Sequence, residues 1–94
     1  MIRPFRDPDA EAVFNWRRVR HLPADLQPMM NRKLRMLHRA EKLEDLRVPP
    51  GNRLELLKGD RKGQHSIRVN DQWRVCFVWT DEGPENVELV DYHR

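Results

Sequence analysis

Residues 91–94 read Asp-Tyr-His-Arg, and upstream of them Arg68 and Arg74 flank an Asn70-Asp71 pair. These side chains are suited to one kind of reaction. Histidine exchanges protons near neutral pH. Arginine holds a phosphate through a planar fork and stabilises charge that develops on it. Tyrosine stacks on a base, or acts as an acid or base once its pKa is shifted. Together they supply the parts for metal-independent RNA cleavage, in which a 2′-hydroxyl attacks the adjacent phosphate. Each residue also has a plainer reading. Arg68 and Arg74 could pair with acidic neighbours such as Glu88 or Asp91, and His93 could be a tail residue. His38 reads as a solvated helix residue, His65 as a structural strand-edge residue and Cys76 as a small buried hydrophobe. Trp73 and Trp79 read as core or rim packing. Acidic residues and histidines show no ligand-like clustering apart from Asp91 and His93, so no metal or other cofactor is expected.

The elements that must carry these residues follow from local pattern. Residues 2–5 fit a short opening strand. Asp7-Pro8-Asp9 reads as a helix start, with Asp7 as N-cap and Pro8 at the first helical position. The spacing predicts a helix from there to about residue 19, with Ala10, Val13 and Phe14 inward, broken by His21-Leu22-Pro23. A second helix is predicted over residues 24–40, because Leu26, Met30, Leu34, Leu37 and Ala40 recur at helical spacing. Arg32, Lys33, Arg35 and Arg39 fall on its other face. Val48-Pro49-Pro50-Gly51 stops it. Beyond that point the period changes to two. Strands are expected over 53–56, 65–69, 73–79 and 87–92, separated by the turn 58–63, the Asn70-Asp71 pair and the turn 81–84. In the last strand Leu89 and Asp91 share one face, while Val90 and Tyr92 share the other. The fold class is α+β: two helices, then a meander of about four antiparallel strands with the helices packed on one face.

Ninety-four residues make one domain, spanning 1–94, which excludes an enzyme with separate cofactor and substrate modules. Apolar residues at 38% and charged residues at 35% describe a lean globular chain. No segment approaches the ~20 apolar residues of a membrane span. The opening residues lack the apolar core of a secretory signal, so a cytoplasmic protein is expected. The single Cys76 excludes an internal disulfide and a cysteine-built zinc site. Residues 1–80 hold seventeen basic and ten acidic groups, a net of +7, whereas residues 81–94 net −4. The cations are mostly arginine, which favours a polyanionic partner, nucleic acid first.

Several segments in this order resemble HigB-type toxins of the RelE/ParE superfamily, from bacterial type II toxin–antitoxin systems. They are Ile2-Arg3-Pro4-Phe5, Pro49-Pro50-Gly51-Asn52-Arg53-Leu54, Leu57-Lys58-Gly59-Asp60-Arg61, the run from His65 to Arg74, and Val90-Asp91-Tyr92-His93. The resemblance covers nearly the whole chain. It implies a RelE-like fold and a toxin that enters the ribosomal A site and cleaves mRNA there without a metal. It also implies a HigA-type helix-turn-helix antitoxin as partner, with operator DNA bound only through the antitoxin complex. Carried over to this sequence, Asp91, Tyr92 and His93 match the catalytic group and Arg74 the phosphate-holding arginine. Lys58, Arg61 and Arg68 fall at basic positions expected to contact RNA. One departure stands out. Some members have a histidine that takes part in cleavage just before the Lys-Gly-Asp-Arg turn; here the stretch is Leu54-Glu55-Leu56-Leu57, and Glu55 is the candidate base. Two rival functions remain at this stage: a ParE-like, non-enzymatic inhibitor of DNA gyrase, and an attenuated toxin acting mainly as antitoxin partner.

Overall fold

The computed structural model describes residues 1–92. Asp7 begins the first helix, α1 (Pro8–Phe14), its carboxylate accepting from the Asp9 N–H at 2.9 Å. The second Asp7 oxygen accepts the Leu89 N–H at 3.1 Å, so the cap also pins the helix to a distant strand. α1 stops at Phe14, short of the predicted residue 19. Arg17 N–H returns to the Ala12 carbonyl and Trp16 N–H to the Val13 carbonyl, with Trp16 left-handed at φ 61°. This is the Schellman closure of a helix, with tryptophan where glycine is usual. Side chains hold the end in place: Asn31 donates to the Val13 and Phe14 carbonyls, and Arg35 to the Phe14 carbonyl.

A single 3-10 turn, Ala24–Leu26, leads into α2 (Gln27–Arg39), with Pro28 in its first turn, where a missing N–H costs little. Met30, Leu34 and Leu37 are buried as their spacing predicts. Lys33 departs from expectation. It is buried with the apolar residues, its ammonium donating to the Oδ1 of Asn52, which is itself fully buried. Asn52 also donates to the Leu46 carbonyl at 3.1 Å. The Pro-Pro-Gly-Asn-Arg linker is thereby bolted to α2 from below. His38 also departs from a solvated role: it is half-buried, accepts the Ile2 N–H at 3.3 Å through Nδ1, and packs its ring on Phe14.

Four strands follow: β1 (Glu55–Leu56), β2 (His65–Arg68), β3 (Trp73–Thr80) and β4 (Gly83–Asp91), antiparallel in the order β1-β2-β3-β4. β4 starts earlier than predicted because only Asp81 and Glu82 form the turn. Gly83 has φ 114°, and a Cβ there would lie 2.7 Å from the Met1 carbonyl oxygen. Residues 2–5 form no full strand; Phe5 makes one parallel bridge to Val87, flanked by Arg3 N–H to Pro84 O and Arg6 N–H to Val87 O. Pro4, which has no N–H, prevents a longer ladder. Ile67, Val75, Phe77, Val87 and Leu89 face the helices and form one core with them. The alternate residues face away from the helices, and that second face carries the polar chemistry.

Candidate functional site

The β2–β3 turn sets the site's register. Asn70 accepts the N–H groups of Gln72 and Trp73 at 2.9 and 2.7 Å. The tight turn places Arg68 opposite Arg74, and Ser66 opposite Cys76. Because strand residues alternate, Ser66, Arg68, Arg74, Cys76 and Tyr92 all emerge on the helix-free face. Arg74 Nη1 donates to the Ser66 hydroxyl at 2.8 Å and to the Arg53 carbonyl at 3.4 Å, and lies 3.8 Å from the Glu55 carboxylate. Its guanidinium stands 5.7 Å from the centroid of the Tyr92 ring. Arg68 pairs with Asp71, an exposed carboxylate on the turn. Arg53, Arg68, Asn70, Asp71, Arg74 and Tyr92 line one cleft of about 320 Å³. In the sequence Arg53 reads as the end of the linker and the first residue of the strand expected over 53–56. It enters the site because its left-handed backbone, φ 45°, turns the chain back just before β1.

Tyr92 is placed by its N–H, which donates to the Gln72 carbonyl at 2.6 Å. Its hydroxyl lies 4.0 Å from the Cys76 sulfur. Burial, with the nearby Cys76 thiol, pushes the phenol above its ordinary range. Burial likewise pushes the Cys76 thiol up. Both therefore stay neutral at neutral pH, which suits Tyr92 to stacking and hydrogen bonding and leaves Cys76 without nucleophilic character.

Apart from Glu55 at its edge, the other described sequence candidates do not line this cleft. Asp91 is exposed on the opposite side of the sheet; it pairs in register with Trp73 and accepts from Gln72 Nε2 at 3.2 Å. It lines a different hollow, with Asp7, Asp9 and His21. Arg61 is bound to Glu88 at 3.1 Å and to Gln64 at 3.2 Å, and Arg6 adds a looser contact to the same carboxylate. Glu88 thus serves Arg61 and not Arg68 or Arg74. Lys58 is exposed on the loop after β1, among Leu56, Leu57 and Lys62. Glu55 is exposed at the cleft's edge through its approach to Arg74. His65 stacks on Phe77 toward the core, and burial, then Arg47, hold its pKa below 6.5. His93 lies outside the described residues. Among the described residues no three His, Cys, Asp or Glu side chains are grouped to hold a metal, and no helix is long and apolar enough to cross a membrane.

Two guanidinium groups, of Arg68 and Arg74, meet one opening beside a neutral phenol, a set with the chemistry to hold an anion and an aromatic base. The HigB-like toxin family, RelE-like toxins of type II toxin–antitoxin systems, matches residues 3–93. The chain belongs to this family. Among HigB relatives, Toxin HigB-1 of Vibrio cholerae is 48% identical, over all of this chain and 99% of its own. Endoribonuclease HigB of Proteus vulgaris is 28% identical, over 99% of this chain and all of its own. A Haemophilus influenzae protein of no stated function is 38% identical over 72% of this chain and 67% of its own. Membership of a HigB-like, type II family gives the chain a toxin's role and an antitoxin as its partner. The RelE-like α+β fold expected from the resemblance is the fold observed.

Proposed function

We propose that this toxin is a ribosome-dependent endoribonuclease that cleaves mRNA in the A site and so inhibits translation. The observation that carries the reading is the cleft lined by Arg53, Arg68 and Arg74 beside Tyr92. Arg74, fixed by Ser66, holds the scissile phosphate, and Arg68 exchanges Asp71 for a phosphate oxygen. Tyr92 stacks on a base of the codon. The 2′-hydroxyl oxygen attacks the adjacent phosphorus, its proton passing to the Glu55 carboxylate or to His93. The bond from phosphorus to the 5′-oxygen breaks, and that oxygen takes a proton from the conjugate acid, leaving a 2′,3′-cyclic phosphate and a 5′-hydroxyl. Asp91, on the far side of the sheet, acts at a distance from the phosphate by orienting Gln72 and the residues that follow it. Arg61 and Lys58 extend the cationic track along the RNA. In this reading the chain works in the cytoplasm, a HigA-type helix-turn-helix antitoxin neutralises it, and operator DNA is bound only through that complex. Further support is that the Proteus vulgaris relative is named an endoribonuclease.

The test is to map mRNA 5′ ends in a purified translation system with ribosomes present or omitted. Cuts within codons that require ribosomes, and that fall by roughly 10²–10³-fold in Arg74→Ala, are expected. Cuts without ribosomes would overturn the ribosome-dependent step. Their absence in both arms would return the weight to a gyrase-type inhibitor, which a supercoiling assay would reveal.

A further inference from the structure

The helix layer carries a second feature that the RNA cleft does not use. Trp16 is 71% exposed, although its left-handed backbone is one that bulky side chains rarely adopt. Glycine at this position would close α1 without strain, so the tryptophan is not explained by the fold; strain of this kind gathers at functional sites. Beside it lies a groove of about 220 Å³ with Val13, Ala24 and Pro28 among its walls. Its floor is rigid. Asn31 holds the end of α1, while Gln27 bonds both the N–H and the carbonyl of Val19 and the carbonyl of Leu22. Arg35 supports the Trp16 ring from one side, 5.6 Å from its centroid. Arg17 and Arg18 line the groove, both exposed, and among the described residues no carboxylate pairs with either of them.

We infer that the Trp16 groove is the docking site for an acidic segment of the antitoxin, which inserts an apolar side chain against Trp16 and sets carboxylates on the surrounding arginines. The partner's chemistry follows from the lining: an apolar slot needs an apolar anchor, and unpaired guanidinium groups need carboxylates. Exposed tryptophan and arginine together are the composition of interface hot spots. Protein is favoured over RNA because Val13, Ala24 and Pro28 give the slot an apolar wall beside the ring, with Gln27 and Asn31 already engaged in bonds to the backbone. The inference rests on the antitoxin partnership of the proposed function.

The experiment titrates the full-length toxin with its cognate antitoxin, comparing the wild type with Trp16→Gly and with the double variant Arg17→Glu, Arg18→Glu. Trp16→Gly is expected to weaken binding by roughly 30-fold or more, with a melting temperature that does not fall, because glycine suits the helix closure. A merely structural tryptophan would show the reverse. The double charge reversal should weaken binding to a similar degree and flatten its dependence on salt. Both variants should cleave mRNA as the wild type does. Wild-type affinity in both variants overturns the docking site while leaving the partnership intact. Failure of the antitoxin to bind the wild type overturns the partnership, and the docking site with it. Loss of ribosome-dependent cleavage with unchanged antitoxin affinity assigns the groove to RNA and overturns the inference.

Discussion

Replacing Asn52 by alanine tests whether the buried linker bond supports the RNA cleft. The Asn52 side chain is fully buried, accepts from the Lys33 ammonium and donates to the Leu46 carbonyl. Losing the amide–carbonyl bond costs about 1 kcal/mol. The ammonium, on a residue only 8% exposed, is then left without its acceptor, a further cost of roughly 1–3 kcal/mol. The sum is about 2–4 kcal/mol, which in a domain of this size lowers Tm by roughly 10–25 °C. Thermal unfolding followed by circular dichroism reads it directly. Lys33→Met isolates the pair: in that background the alanine substitution should cost at least about 1 kcal/mol less, since no ammonium is stranded. An Asn52→Ala cost under about 0.5 kcal/mol, or one equal in both backgrounds, would refute the argument. Because Arg53 turns into the cleft immediately after Asn52, loss of RNA cleavage at temperatures where the variant remains folded is also expected.

Ser66→Ala removes the 2.8 Å bond that fixes Arg74 and should lower kcat/KM for RNA cleavage about fivefold, with Tm nearly unchanged; equal activity would show that the hydroxyl does not position the arginine. Gly83→Ala should destabilise by about 1–3 kcal/mol, because its Cβ meets the Met1 carbonyl at 2.7 Å and φ is 114°; urea unfolding checks it, and a neutral result would contradict the close approach. For pH dependence, burial, then the N-terminal ammonium and Arg35, push His38 below its ordinary 6.5, while burial and Arg47 do the same for His65. The unfolded chain therefore takes up protons first on acidification, so these groups lower stability as pH falls from about 6.5 toward their folded-state values. Urea midpoints between pH 7 and 5 should show that decline, and His38→Gln should lessen it; an undiminished slope in the variant would count against the assignment.

Much of the fold was legible because its signals are local. The Asp7-Pro8 cap, the spacing from Met30 to Leu37 and the alternation from Trp73 to Trp79 need no distant partner to be read. The end of α1 was not legible: Trp16 occupies a position that glycine normally marks, and the bonds that stop the helix come from Asn31 and Arg35 on another element. Lys33 looked like a surface cation because its acceptor, Asn52, lies nineteen residues away. At the candidate site, strand parity separated Tyr92 from Asp91 within the last strand, but only the pairing of Val90 with Arg74 puts Tyr92 on the arginine's face. Grouping Asp91 with Arg74 came from the motif and ran against that alternation. Arg53 carried no sequence signal of its own beyond its place after Asn52.

The bonds from Arg3 and Arg6 to Pro84 and Val87, and from Leu89 to Asp7, join residues about eighty positions apart. The strand that presents Tyr92 is therefore laced on one edge by the opening segment and on the other by β3. Contacts of such long sequence separation form late, since loop-closure entropy must be overcome first. Toxicity and the completed tertiary structure should thus emerge in the same kinetic phase, and a fragment lacking residues 2–7 should be as harmless as one lacking residues 84–92.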